Sequence, residues 1–241
     1  MRIAMWSGPR NISTAMMRSW EARGDTAVCD EPLYAHYLKR TGLNHPGAQA
    51  IINHQEIEPE TIIAGLTGPI PAGQPIFYQK HMAHHLFEDH SLDWLSNLTH
   101  AFLIRNPRDM IVSLAKVTPH PRLEDTGLPQ QERLFLWISE HMAQHPPVLD
   151  SRDVLRDPPG LLTALCSRLG VPYTNRMLSW PPGLRGTDGI WAKHWYDAVA
   201  QSTGFGPERE PVASIPAHLH PLLEACEPIY DRLHAHRLVA D

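Results

Sequence analysis

Arg2-Ile3-Ala4-Met5-Trp6, then Ser7-Gly8-Pro9-Arg10-Asn11-Ile12, then Ser13-Thr14-Ala15-Met16-Met17-Arg18-Ser19-Trp20 and on to Arg23: the reading of these residues decides the fold. The first segment is a short apolar run suited to an interior strand, and the second is turn chemistry. The third places Ala15, Met16, Met17 and Trp20 at helical spacing behind Ser13 and Thr14, which read as capping hydroxyls. A helix N-terminus presents unpaired N–H groups and the positive end of its dipole. Strand, loop and helix therefore form a cradle for an anion with several oxygens, with Ser13 and Thr14 as hydroxyls and Arg10 as the guanidinium fork. An ordinary capped helix after a strand has the same local signature, so the rest of the chain has to decide.

Working outward, the same unit recurs. Thr26 to Asp30 reads as a second buried strand ending in Asp30-Glu31-Pro32, followed by a weakly helical stretch from Leu33 to Arg40. Residues 41–75 carry Gly, Pro and Asn at short intervals. They read as a surface excursion, with helical turns only at Gln49 to Asn53 and Pro59 to Gly65. Pro75 to Lys80 restores strand character, with His81-Met82-Ala83-His84-His85 placed beyond its carboxyl end, and Leu92 to Leu98 is a short helix. His100 to Arg105 is the next strand, and Asn106-Pro107 opens a helix where a missing N–H costs least. Pro129 to His145 reads as a longer helix, Val148 to Asp150 as a short strand, and Pro158 to Leu169 as a helix stopped by Gly170 and Pro172. Trp180 to Trp191 is loop, and Ala192 to Ala200 is helical. Ile215 to Arg237 is a final helical stretch whose Leu219, Leu222, Leu223, Ile229, Tyr230 and Leu233 form a core stripe. Strand, short turn and helix in repetition predict an α/β, three-layer αβα sandwich around a parallel sheet, in one domain over residues 1–241. Ligands of such sheets bind at the carboxyl ends of the strands, where Arg10, Glu31, Lys80, His81 and Arg105 all fall.

Composition limits the partners. A formal net charge of −5 argues against a nucleic-acid surface, so a polyanionic ligand must be met by local arginines. Cys29, Cys166 and Cys226 lack paired spacing and read as reduced thiols. No apolar run approaches the roughly 18 residues of a membrane span, and the N-terminus enters strand pattern directly, so a cytoplasmic protein is expected. His81, His84, His85 and His90 invite a metal reading, but no Cys or HExxH-type pattern joins them, and no metal is expected.

Three motifs resemble the sulfotransferase family that uses 3′-phosphoadenosine 5′-phosphosulfate. Gly8, Pro9, Arg10, Asn11, Ile12, Ser13 and Thr14 are similar to its 5′-phosphosulfate loop, although Ile12 stands where the family has a small residue and Asn11 is suited to a left-handed turn. Arg105 at a strand end and Ser113 eight residues later resemble the grip on the 3′-phosphate. Arg185-Gly186-Thr187-Asp188-Gly189-Ile190-Trp191 resembles the late glycine loop that closes over that phosphate, with Lys193 as a further cation. Asp157-Pro158 and the leucines after it look like the family's C-terminal helix. The resemblance implies sulfuryl transfer from that donor to a hydroxyl or amine of a small-molecule acceptor, with 3′-phosphoadenosine 5′-phosphate as product and no metal required. Arg10 and the helix N-terminus would hold the leaving bisphosphate, and Lys80 would bridge donor and acceptor. The competing readings are a noncatalytic nucleotide-binding protein on the same fold and a P-loop small-molecule kinase. The loop lacks the Gly-Lys-Ser/Thr end that a kinase needs.

The acceptor needs a base, and two residues are candidates. His81 suits neutral pH, because imidazole starts near 6.5. Glu31 would be tuned upward by Asp30. Side chains alternate along a strand, so only one of Asp30 and Glu31 is expected to face the acceptor. Trp180, Trp191 and Trp195 are candidates for lining an acceptor pocket or stacking on adenine, or are simply packed.

Overall fold

A computed structural model describes every residue except Ala143, Arg209 and Asp241. Five strands, β1 (Arg2–Ser7), β2 (Thr26–Asp30), β3 (Ile76–Met82), β4 (Thr99–Ile104) and β5 (Val148–Asp150), form one parallel sheet in the order β2-β3-β1-β4-β5. The strands are apolar on both faces because both faces are covered. In β1, Ile3 and Met5 enter one core with Met16, Met17, Trp20 and the leucines of residues 161–169. Ala4 and Trp6 enter the other, with Phe102, Ile111, Leu134, Ile138 and Leu233. The expected three-layer αβα sandwich is therefore present.

The helices follow in chain order. α1 (Ser13–Glu21) returns from β1, and α2 (Tyr34–Thr41) follows β2. The excursion at 41–75 carries α3 (Ala48–His54), α4 (Pro59–Thr67) and a 3-10 turn. It is not loosely laid over the sheet: Ile62 and Leu66 are buried in the core, and the Arg2 guanidinium donates to Gly68 O at 2.6 Å. α5 (Pro107–Leu114) starts at Asn106, whose side chain accepts from Arg108 N at 3.1 Å. α6 (Leu128–His141) ends before the expected His145, and Ala143 of that stretch lies outside the described residues. α7 (Ser151–Arg156) was not foreseen. Asp150 caps it by accepting from Arg152 N at 2.8 Å, and Asp157 then caps α8 (Pro158–Leu169). α9 (Ala192–Trp195) and α10 (Asp197–Ala200) replace one expected helix, and α11 (His220–His234) closes the fold with the predicted stripe packed on the core.

β1 is the central strand, and the chain departs from it first toward β2 and later, after β3, to β4 on its other side. That reversal leaves a crevice at the carboxyl ends of β1, β3 and β4, which is where open α/β sheets bind ligands.

Candidate functional site

A cleft of about 1440 Å³ opens at those strand ends. One half is built from the β1–α1 loop. The helix begins with Ile12 at its N-cap, with no side-chain capping bond, so Ser13 and Thr14 lie in the first turn and are not caps as expected. The open amides, with Pro9, Arg10, Asn11, Ile12, Ser13 and Thr14, line the cleft. The left-handed residue of the loop is Arg10 (φ 56°), not Asn11. Asn11 acts through its side chain, donating to Leu103 O at 2.9 Å and accepting from Ile12 N at 2.8 Å. Ile12 tolerates its branched side chain because its own φ is −87°, and it packs against the core. Gly8 sits behind the loop, where a Cβ would lie 2.4 Å from Thr126 O.

Residues from β4 and α5 join this loop. Arg10 Nε donates to Ser113 Oγ at 3.0 Å, and Arg105 donates to the Arg10 carbonyl. Arg10 thus meets Arg105 and Ser113, more than ninety residues further along the chain, at one helix N-terminus. A phosphate needs such a set of convergent donors.

The facing wall is a buried charge network. Lys80 Nζ lies 2.8 Å from Asp30 Oδ1, 2.5 Å from Glu31 Oε1 and 2.7 Å from the Tyr196 hydroxyl. Asp30 also accepts from Tyr196 and from Gly189 N. Glu31 has φ 42°, which ends the alternation of the strand. Asp30 stays buried and Glu31 turns into the cleft, yet both carboxylates reach the same ammonium. Burial alone would lower the Lys80 pKa, but Asp30 and Glu31 hold it well above the ordinary value. Burial raises the Glu31 carboxyl above the usual carboxylate range, against the pull of Lys80 and with a further push from Asp30.

Beyond Glu31 the cleft is aromatic. Tyr34, Tyr37, Phe87, Trp191, Trp195 and Tyr196 line it, with His45, His84 and His85 among them. The His85 ring stacks on Tyr34 at 4.9 Å and on Tyr37 at 4.6 Å. Burial pushes His84 down to about 4, against the pull of Asp125, and lowers His85 well below the ordinary imidazole value.

His81, Trp180, Arg185, Gly186 and Lys193, all expected at the site, do not line the cleft. His81 lies inside β3 and not beyond it, with its ring stacked 4.4 Å from Trp6 and its Nε2 3.2 Å from Gln79 Oε1. Burial and the neighbouring His100 push it down to about 3, and it does not line the cleft. Arg185 pairs with Glu21, and Asp188 in the same loop holds the buried Arg18 at 2.6 Å. This pins residues 185–188 to the C-terminal half of α1, Glu21 lying roughly 12 Å of helix away from the cradle at ~1.5 Å rise per residue, while Gly189 and Trp191 run back to Asp30 and the cleft wall. Gly186 is exposed, and Arg185, Gly186 and Lys193 are absent from the cleft lining. Trp180 is packed with Phe205, outside the lining. No group of three or more His, Cys, Asp or Glu among the described residues is placed to hold a metal ion.

Residues 1–237 match the family described as the sulfotransferase domain. The chain belongs to that family. It is 34% identical over 235 residues to branched-chain-amino-acid aminotransferase-like protein 1 of Arabidopsis thaliana, a match covering 97% of this chain and 42% of that protein. For protein 2 of the same name and organism the identity is 32%, covering 97% and 41%. The chain thus spans about two fifths of the length of these curated relatives. In fold it is similar to the sulfotransferase domain from the curacin biosynthetic pathway (TM-score 0.54, 15% identity, 98% of each chain). It is also similar to a sulfotransferase from Alicyclobacillus acidocaldarius (TM-score 0.54, 12% identity, covering 98% of this chain and 96% of that one). At these identities the likeness is one of fold.

In the aromatic half of this sulfotransferase domain, Trp191 and Trp195 line the cleft, as sequence reasoning had them as candidates to do, while the tyrosines escaped it. Tyr34 and Tyr37 sit in a weakly helical stretch with no motif, and Tyr196 meets Lys80 from 116 residues away. For the charged wall the local signal was the polar Asp30-Glu31 pair ending an apolar strand, which pointed to Lys80 as soon as β2 and β3 were known to be neighbours.

Proposed function

We propose that this domain moves a sulfuryl group from 3′-phosphoadenosine 5′-phosphosulfate to a hydroxyl or amine of a small molecule held in the aromatic half of the cleft. The observation that carries the reading is the meeting of Arg10, Arg105 and Ser113 at the uncapped N-terminus of α1, across one cleft from Glu31 and Lys80. Arg10, the helix amides, Ser13 and Thr14 would bind the phosphosulfate end, with Arg105 and Ser113 on the 3′-phosphate. The aminotransferase-like part of the relatives' names is assigned to the length that this chain does not span.

Sulfuryl transfer places its demand on positioning and on charge at the leaving oxygen. For a hydroxyl acceptor, its oxygen forms the new bond to sulfur while the bond between sulfur and the 5′-phosphate oxygen breaks. That electron pair stays on the phosphate, beside Arg10 and the helix dipole. The hydroxyl proton passes to the Glu31 carboxylate and from there to water. A raised Glu31 pKa strengthens it as a base. Lys80, committed to Asp30, Glu31 and Tyr196, orients Glu31 and does not itself bridge donor and acceptor.

Calorimetry without divalent metal tests the reading. 3′-Phosphoadenosine 5′-phosphate should bind at least about tenfold more tightly than AMP, since a lost charge-assisted bond costs roughly 1.5 to 3 kcal/mol. Ser113→Ala should narrow the gap. Equal affinity for the two nucleotides refutes the donor assignment, and binding without donor turnover on any acceptor favours the noncatalytic reading.

A further inference from the structure

The acceptor half of the cleft has a charge and surface chemistry of its own. Four carboxylates line this half or its mouth, Glu31, Glu88, Glu124 and Asp125, against two cations, Lys80 and Arg122. Each cation is paired with a carboxylate of the same lining, Lys80 with Glu31 and Arg122 with Asp125, so the excess of negative charge rests on Glu88 and Glu124. Lys80 is enclosed by Asp30, Glu31 and Tyr196, and Arg122 lies 3.3 Å from Asp125. The histidines add no positive charge, because burial lowers His45, His84 and His85 alike, and Tyr34 and Tyr37 are held protonated by the same burial. Asp125 lines the cleft with these rings, and its charge acts on Tyr37, His45 and His84, opposed at Tyr37 by that of Arg122. Phe87 at the rim already carries the Arg40 guanidinium 4.1 Å from its ring centre, so this surface takes cations on its faces. Finally, the His85 ring is 3% exposed, contributes to the cleft lining and has a buried Nδ1 with no hydrogen-bond partner.

Resting on the sulfotransfer reading, we infer that the acceptor is an organic cation bearing the hydroxyl to be sulfated, its ammonium group held among the Tyr37, His84 and Trp195 rings beside Asp125. Aromatic faces attract such a cation, a neutral imidazole does not repel it, and the carboxylates disfavour an anionic acceptor. Sulfation then gives an internally neutral product, which loses its net attraction to an acidic pocket.

The test is binding to the wild-type chain, with and without 3′-phosphoadenosine 5′-phosphate, measured by calorimetry. The probes are choline against its neutral carbon isostere, and tyramine against para-propylphenol and para-hydroxyphenylacetate. Each cation is expected to bind about tenfold more tightly than its neutral partner, in line with desolvated cation–aromatic contacts, with the carboxylate weakest. Asp125→Asn should shrink the cation preference several-fold while leaving nucleotide affinity unchanged. A neutral or anionic probe that binds as well as the cations, or no binding of either cation, overturns the inference. Failure of the nucleotide to bind instead refutes the donor reading. In that case the cation preference, measured without nucleotide, still decides this inference on its own.

Discussion

Replacing Lys80 by methionine tests whether the cleft wall is held by charge. The side chain is 1% exposed, as is that of Asp30, and Glu31 is 12% exposed, so the three ions share a nearly dry site. Methionine keeps the length of the stem and removes the ammonium, which leaves two carboxylates facing one another with Tyr196 as their remaining close donor. Removing one partner of a buried ion pair costs roughly 3 to 5 kcal/mol. For a domain of this size about 1 kcal/mol moves the melting temperature by about 2 to 4 °C, so the expected loss is about 6 to 20 °C at pH 7. The pH dependence identifies the cause. Without Lys80 the Glu31 carboxyl, already raised by burial, loses the pull that opposed that rise, so the penalty is full above its raised folded value and fades as pH falls toward its unfolded value near 4. Thermal unfolding of wild type and variant from pH 4 to 8 should show the two curves converging on the acid side. Adding Asp30→Asn should recover part of the loss at pH 7, because it removes one of the stranded charges. A Lys80→Met protein that melts within about 2 °C of wild type at pH 7, or a loss independent of pH, refutes the network as described.

Other expectations follow from the same geometry. Glu31→Gln should lower kcat by about two to four decades and leave donor KM nearly unchanged, as steady-state kinetics would show if the carboxylate accepts the proton. His81→Asn should lower the melting temperature yet leave the pH profile of kcat/KM unaltered, because the ring packs against Trp6 and never reaches the cleft. Gly8→Ala should cost about 1 to 3 kcal/mol in denaturant unfolding, since its Cβ would stand 2.4 Å from a backbone oxygen. Wild-type stability should fall as pH drops below 6.5. His81, His84 and His100 are buried neutral and held at about 3, 4 and 4, so the stability they contribute is complete above 6.5 and lost through those values.

The half of the cleft built on the β1–α1 loop was legible because its structure is local. A loop that presents backbone amides must turn sharply between a strand and a helix, and that turn writes itself in adjacent residues, Gly8 to Thr14, as does the strand end at Arg105 and the helix register that carries Ser113. Two details inside it were not legible. Backbone freedom was assigned to Asn11, the residue type that best tolerates it, whereas the fold puts the left-handed turn at Arg10 and uses the Asn11 amide as a brace to Leu103. The glycine loop at 185–191 matched a motif by spacing, but spacing is silent about which end of α1 its Arg185 meets, and Glu21 and Arg18 hold residues 185–188 at the far end while Gly189 and Trp191 reach the cleft wall. The aromatic half of the cleft left little local signal beyond Trp191 and Trp195. His81 seemed to follow β3 because a polar residue after Lys80 looks like a strand end, but the register against β1 continues to Met82, and Trp6 provides the apolar lid that makes a buried imidazole tolerable. Glu31 became the cleft-facing carboxylate through a positive φ that its residue type disfavours. A non-glycine residue persists there only when its surroundings hold it. Here Lys80 holds its side chain, and the Lys80 carbonyl accepts from its backbone N–H at 2.9 Å. The strained residue and the ion pair are therefore one device: the buried ammonium fixes the backbone turn, and the turn delivers the carboxylate to the cleft.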